Sequence, residues 1–263
     1  MATTAPPGFD VAHLRDAIRT TYERVARDPS GVFHFHRGHS YAVECLGYDD
    51  DELASLPAEA TARFAGVGNP LRIGEVAAGE TVLDHACGAG TDLLLAARRV
   101  GPLGRAIGVD ITAGMREVAK RAALQAGLAD RVTIRAGSYD DLPLKSSSVD
   151  VVLSNGVINL APDKRRVFSE IWRVLRPGGR LYLADVVVAR ELKLETRLKP
   201  ELWAACIAGA LPEAELVAIT RDLGFVDGQP LTRFACFEGA TTEHKVSHDL
   251  HVHGLNFFAR KPG

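Results

Sequence analysis

The sequence predicts an α/β fold with a mostly parallel, seven-stranded sheet, and three observations carry that expectation. Short apolar segments alternate with helix-periodic ones between Thr81 and Val188, and a glycine-rich turn joins the first such strand to the first such helix. Towards its end the chain changes to two alternating, strand-like segments. Strict strand–helix alternation buries both faces of a parallel sheet, and the closing pair can join as an antiparallel edge.

Each element follows in order. DVAHLRDAIRTTYERVA places Val11, Leu14, Ile18, Tyr22 and Val25 at three- and four-residue steps, the spacing of an amphipathic helix. LPAEATARFA suggests a second, short helix before Gly66, Gly68, Asn69 and Pro70 break the chain, so residues 1–70 read as a helical cap or lid. Residues 71–190 read as the ligand-binding core. They comprise strand TVLD, a helix from Asp92 to Val100, strand RAIGVD, a helix from Gly114 to Ala126, strands VTIRA and VDVVLSN, a helix from Asp163 to Leu175, and strand RLYLADVVV. Residues 191–263 add a helix from Glu213 to Leu223 and the strands LTRFACFEG and LNFFARK on the substrate side. No repeat or flexible linker separates the three regions, so they form one domain.

Composition narrows the function. The 263 residues are 46% hydrophobic and 24% charged, with a net charge of −2, so no basic field exists to draw nucleic acid or anionic lipid. No apolar run approaches the roughly 20 residues of a membrane span, and MATTAPPGF has no signal-peptide pattern, which points to a cytoplasmic protein. Cys45, Cys87, Cys206 and Cys236 form no CxxC pair and read as reduced thiols. His34, His36 and His39 form one cluster and His248, His251 and His253 another; both read as lid or surface groups, and no metal is expected.

The chemistry lies at the first strand's end. Asp84 runs into His85, Ala86, Cys87, Gly88, Ala89 and Gly90, where the glycines let the backbone approach a ligand. Asp110, 26 positions after Asp84, ends the second strand and can accept both ribose hydroxyl hydrogens of an adenosine cofactor. A dinucleotide fingerprint needs a third small residue where Leu93 stands, which disfavours a nicotinamide oxidoreductase. S-adenosylmethionine has no phosphate and fits better, with Asp84 placed for its ammonium.

VLDHACGAGTD, VGPLGRAIGVDIT, LPLKSSSVDVVLSNGVINLAPDK and RVLRPGGRL together resemble the class I methyltransferases. LGYDDDELASLP, GVGNPL and LWAACIAGAL make the resemblance strongest to the arsenite methyltransferase family, over about Ile18 to Phe225. The resemblance implies a Rossmann-like fold and S-adenosyl-L-methionine as cofactor. It puts Asp84, Ala86, Cys87 and Gly88 at the methionine end, Asp110 at the ribose, Ile111, Met115, Ser138 and Tyr139 at the adenine, and Asn155 and Val157 beside the methyl, with Tyr22 closing over. Ala86 stands where a glycine is usual and Ser138 where an Asp is usual. The family holds arsenic through converging thiolates, yet Val67 and Gly156 occupy two of those positions, FHFHRG replaces the cysteines after the first helix, and Cys206 alone remains.

The expected function is therefore methyl transfer to a heteroatom or activated carbon of a small molecule. The alternatives are an arsenite or other thiophilic-substrate methyltransferase and a non-methylating S-adenosylmethionine-binding protein. Substrate contacts are expected from His34, His36, Tyr41, Val67, Gly156 and Cys206, with His36 and Tyr41 as candidate acid–base groups.

Overall fold

The computed structural model describes residues 3–204, 206–236 and 252–263. A central sheet has the order β3-β2-β1-β4-β5-β8-β7. Its strands are β1 (Thr81–Asp84), β2 (Arg105–Asp110), β3 (Val132–Ala136), β4 (Val149–Asn155), β5 (Leu175–Val188), β7 (Val226–Phe234) and β8 (His253–Arg260). β1 to β5 pair in parallel, whereas β8 runs antiparallel between β5 and β7. The eighth strand, β6 (Leu211–Pro212), pairs in parallel with the end of β5 and was not expected; two residues carry no readable alternation.

Val82 and Leu83 are fully buried and point to opposite faces, so β1 joins the two halves of the core. One face is covered by α5 (Thr91–Val100) and α6 (Ala113–Gln125), the other by α7 (Lys164–Val174) and α10 (Glu213–Asp222). After β1 the chain adds β2 and β3 on one side and then returns to lay β4 on the other. Strand order therefore reverses beside β1. A crevice opens at such a switch point outside the carboxyl ends of the strands, where Asp84, Asp110 and Asn155 stand.

The cap begins with α1 (Val11–Arg27), whose first turn is closed by the Asp10 carboxylate accepting from the His13 N–H at 2.8 Å. Its apolar stripe buries Leu14, Ile18 and Val25. The short helices α2 (His39–Glu44), α3 (Asp50–Ala54) and α4 (Ala58–Thr61) follow, and α8 (Leu194–Arg197) and α9 (Pro200–Ala204) precede β6. Among the described residues no helix is long and apolar enough to cross a membrane.

Several boundaries differ from expectation, two of them at β5 and β7. Leu175 opens β5 instead of ending α7. The strand expected over LTRFACFEG lies earlier, at Val226–Phe234, with Cys236 beyond it and residues 237–239 outside the described chain. β7 is an edge strand with register shifts around Pro230, a residue that lacks the N–H a central strand needs.

Candidate active site

Beyond β1 the backbone turns through Gly88 (φ +51°) and Gly90 (φ +94°), left-handed conformations that favour glycine, and Gly90 caps α5. A Cβ on Gly88 would project into open space, so the turn leaves room on that side for a ligand. Underneath, the backbone of β2 passes so close that a Cβ on Gly108 would lie 2.7 Å from the Cys87 sulfur. Cys87 thus wedges the turn against β2, with its N–H donating to Val109 O at 2.9 Å. Burial pushes its thiol pKa up, so Cys87 is no nucleophile at neutral pH.

The turn forms one wall of a cavity that opens to solvent and takes in about 840 Å³ when counted out to its mouth. Asp110 stands at its edge. One carboxylate oxygen accepts from the Gly88 N–H at 2.9 Å and the other from the Thr112 N–H at 2.7 Å. Both oxygens are oriented, and each keeps a lone pair for a further donor, the pattern that receives a vicinal diol.

Three carboxylates face the same cavity: Asp84, Asp92 and Asp110, with 5%, 6% and 9% of their surfaces exposed. Burial raises the pKa of each, and Asp84 is raised further by the charges of Asp92 and Asp110. Buried carboxylates that destabilise one another attract a cation, which relieves their repulsion. His85, also on the wall, is fully buried, and desolvation lowers its pKa to about 4 against the opposing pull of the Leu153 backbone, so the ring is neutral.

The opposite wall comes from distant segments. Asn155, ending β4, accepts on Oδ1 from the Val67 and Gly68 N–H groups at 2.8 and 3.1 Å. Its Nδ2 donates to Gly68 O and to Asp92 Oδ2, both at 2.9 Å, while the Tyr48 hydroxyl donates to Asp92 Oδ1 at 2.6 Å. Gly66 must be glycine because a Cβ there would overlap the Asn155 amide and lie 2.6 Å from Phe64. Helix α1 closes the top with Ile18 and Tyr22. It is tied down by Arg15 on Asp140 at 2.6 Å and by Glu23 accepting from the Gly114 N–H at 3.1 Å.

Every residue expected on the donor side lines this one cavity: Tyr22, Asp84, Ala86, Cys87, Gly88, Asp110, Ile111, Met115, Ser138, Tyr139, Asn155 and Val157. The substrate-side set is dispersed. Gly156 lines the cavity, whereas His34, His36, Tyr41, Val67 and Cys206 do not. His34 packs edge-on to Phe35, and His36 stacks on Tyr41 at 4.9 Å. Burial raises the Tyr41 pKa, so its phenol can donate a hydrogen bond but cannot act as a base near neutral pH. Val67 and Gly156 are neighbours, since a Cβ on Gly156 would lie 3.2 Å from a Val67 methyl. Cys206 is buried in the same apolar cluster as Val67.

Asp92, His85, Phe64 and Thr112 line the cavity without having been anticipated. Asp92 had a signal, a carboxylate two places after the last glycine of the turn. Among the described residues no group of His, Cys, Asp or Glu could hold a metal ion, and His248 and His251 lie outside them.

The sheet order, the glycine turn and the acid at the end of β2 define a class I methyltransferase fold. A family model for a methyltransferase domain matches residues 77–245, and the chain belongs to that family. It is 43% identical to an arsenite methyltransferase of Halobacterium salinarum, over 69% of this chain and 46% of that protein. It is 36% identical to the Homo sapiens arsenite methyltransferase, over 66% of this chain and 48% of that one. The chain thus spans about half the length of these curated relatives. Among solved structures, an arsenic(III) S-adenosylmethionine methyltransferase from Chlamydomonas reinhardtii superposes with a TM-score of 0.70 at 34% identity, covering 81% of this chain and 72% of that one. A geranyl diphosphate methyltransferase shares the fold at 18% identity and a TM-score of 0.61, over 94% and 99% of the two chains.

Proposed function

We propose that the protein is an S-adenosylmethionine-dependent methyltransferase acting on a small molecule, through a heteroatom or activated carbon. The observation that carries this reading is the joint geometry of Asp110 and the Gly88 turn, bonded to each other at 2.9 Å on the rim of a cavity whose floor is acidic. A cofactor carrying both an ammonium and a sulfonium suits three buried carboxylates better than a phosphate-bearing one would. Asp84 would hold the ammonium, Asp110 the ribose diol, and Ile111, Met115 and Tyr139 the adenine. When bound, the donor supplies an electrophilic methyl group.

The chain's own contribution is alignment and exclusion of water. Tyr22 and Ile18 cover the cavity from α1, while Phe64, Val157 and Leu160 make its acceptor side apolar. Positioning of this kind can supply effective molarities of about 10⁵ M or more without a dedicated base. A neutral His85, pKa about 4, stays an available hydrogen-bond partner through the physiological range. Reduced cysteines and the absence of a basic field fit a cytoplasmic enzyme that binds neither nucleic acid nor membrane.

A thiophilic acceptor is the second reading, favoured by one observation: Cys206 and Cys236 lie in one buried cluster with Val67. S-adenosylhomocysteine release in the presence of arsenite and of a panel of amines, phenols and carbon acids separates the two. Turnover with a metabolite and none with arsenite supports the first reading. Arsenite turnover lost in Cys206→Ser supports the second, and tight donor binding with no acceptor at all would mark a non-methylating binding protein.

A further inference from the structure

Asp92 belongs to neither end of the cavity alone. It lies in the first turn of α5, directly after the glycine turn, yet its two carboxylate oxygens are bonded to Tyr48 and Asn155, 44 and 63 residues away in the chain. Asn155 in turn holds the backbone of Val67 and Gly68 through both ends of its amide. We propose that Asp92 is a positioning residue that couples occupancy of the donor site to closure of the acceptor-side wall formed by residues 66–68, a reading that rests on the donor assignment above.

The coupling follows from where the charges sit. Asp84 and Asp92 are both more than nine-tenths buried in the cavity floor, and ionisation of one opposes ionisation of the other. Around Asp92 stand Tyr48 from the α2–α3 connection, Asn155 from β4, Asp84 from β1, and Arg99 from α5, the last of which favours its charged form. A cationic ammonium beside Asp84 removes the repulsion and leaves Asp92 as a carboxylate. Charged acceptors make shorter and stronger hydrogen bonds than neutral ones, so Tyr48 and Asn155 are then gripped harder. Asn155 transmits the grip to the Val67 and Gly68 amides, whose segment packs so closely on Asn155 that a side chain at Gly66 would overlap it. Linkage is reciprocal: whatever orders residues 66–68 must tighten donor binding by the same factor.

Residue-resolved amide hydrogen exchange, with and without saturating S-adenosylhomocysteine, tests the coupling. In the wild type the ligand should slow exchange at Val67 and Gly68 by about tenfold or more, as for an opening that binding suppresses. In Asp92→Asn the ligand should still protect Gly88 and Thr112, whose amides bond Asp110, while changing Val67 and Gly68 by less than about twofold. A purely structural role for Asp92 would speed exchange in the free and liganded variant alike and leave their ratio at the wild-type value. Tyr48→Phe removes the other bond to Asp92 while leaving the Asn155 acceptor of the Val67 and Gly68 amides in place, and should likewise weaken the ligand's effect on those two amides if Asp92→Asn does not fold. Equal ligand protection of Val67 and Gly68 in wild type and variants overturns the coupling. Absence of protection at Gly88 and Thr112 in the wild type overturns the donor reading, and the coupling with it.

Discussion

The two walls of the cavity are built by opposite strategies. The donor wall is built around strand ends, with the Gly88 turn after β1 and, at the end of β2, a single carboxylate oriented by two backbone N–H groups. The acceptor wall is assembled from residues 66–68, Tyr48 and Asn155, joined by side-chain hydrogen bonds reaching across 20 to 107 positions. Local backbone chemistry specifies the first, so its ligand class is fixed by geometry that few other sequences produce. Long-range packing specifies the second, where Val67 and Gly156 stand at two positions to which the family resemblance assigns thiols. The lesson is that donor and acceptor specificity can diverge within one cavity because different kinds of interaction hold them.

Perturbations that separate the walls should differ in size. The largest effect is expected from Gly88→Val, which forces a β-branched residue to φ +51° and points its side chain into the open cavity. Calorimetry should show S-adenosylhomocysteine affinity falling by about 100-fold or more, since strain of ~1–3 kcal/mol adds to the steric block. Gly66→Ala should act on the other wall. Overpacking against Asn155 and Phe64 costs ~1–3 kcal/mol, which thermal unfolding should register as a drop of several degrees, with donor affinity falling less than in Gly88→Val.

The pH dependence sharpens the comparison further. Because the Asp84 pKa is raised on folding, the unfolded chain gives up its proton first, and the contribution of this group to stability falls as pH rises from about 4 towards its folded pKa. Melting temperatures of the ligand-free protein between pH 5 and 8 should therefore decline more steeply in wild type than in Asp84→Asn, and saturating donor should flatten the wild-type slope. The smallest effect is expected from Ser138→Ala. The Ser138 hydroxyl is already committed to a charge-assisted bond to Asp140, which anchors Arg15 of α1, so its removal should change donor affinity by less than about threefold.

The same contrast explains what could be read from the chain. The turn at Gly88, its partner Asp110 and the strands carrying them were legible because periodicity and spacing are local signals; the remaining donor-side residues were implied by the family resemblance, and both sets line the cavity. The acceptor side was not. Asn155 lines the cavity, and its amide is also committed to Gly68, Val67 and Asp92, a pairing across 63 to 88 positions that no local pattern announces. His36 and Tyr41 were placed by resemblance to a neighbourhood that the family fills with thiols, and here they stack on each other and neither lines the cavity. One signal was available and passed over: Asp49 accepts from the Glu52 N–H at 2.8 Å, so DDDEL opens a helix. The insertion of β8 between β5 and β7 lay beyond reach, because alternation identifies a strand and not its neighbours.

Titration calorimetry with S-adenosylhomocysteine on the wild type and on Asp110→Ala tests the central assignment most directly. The account predicts saturable one-to-one binding in the wild type, weakened about 100-fold or more in the variant, because two charge-assisted hydrogen bonds at ~1.5–3 kcal/mol each are lost together. Equal affinities in the two proteins, or no heat in the wild type, would contradict it.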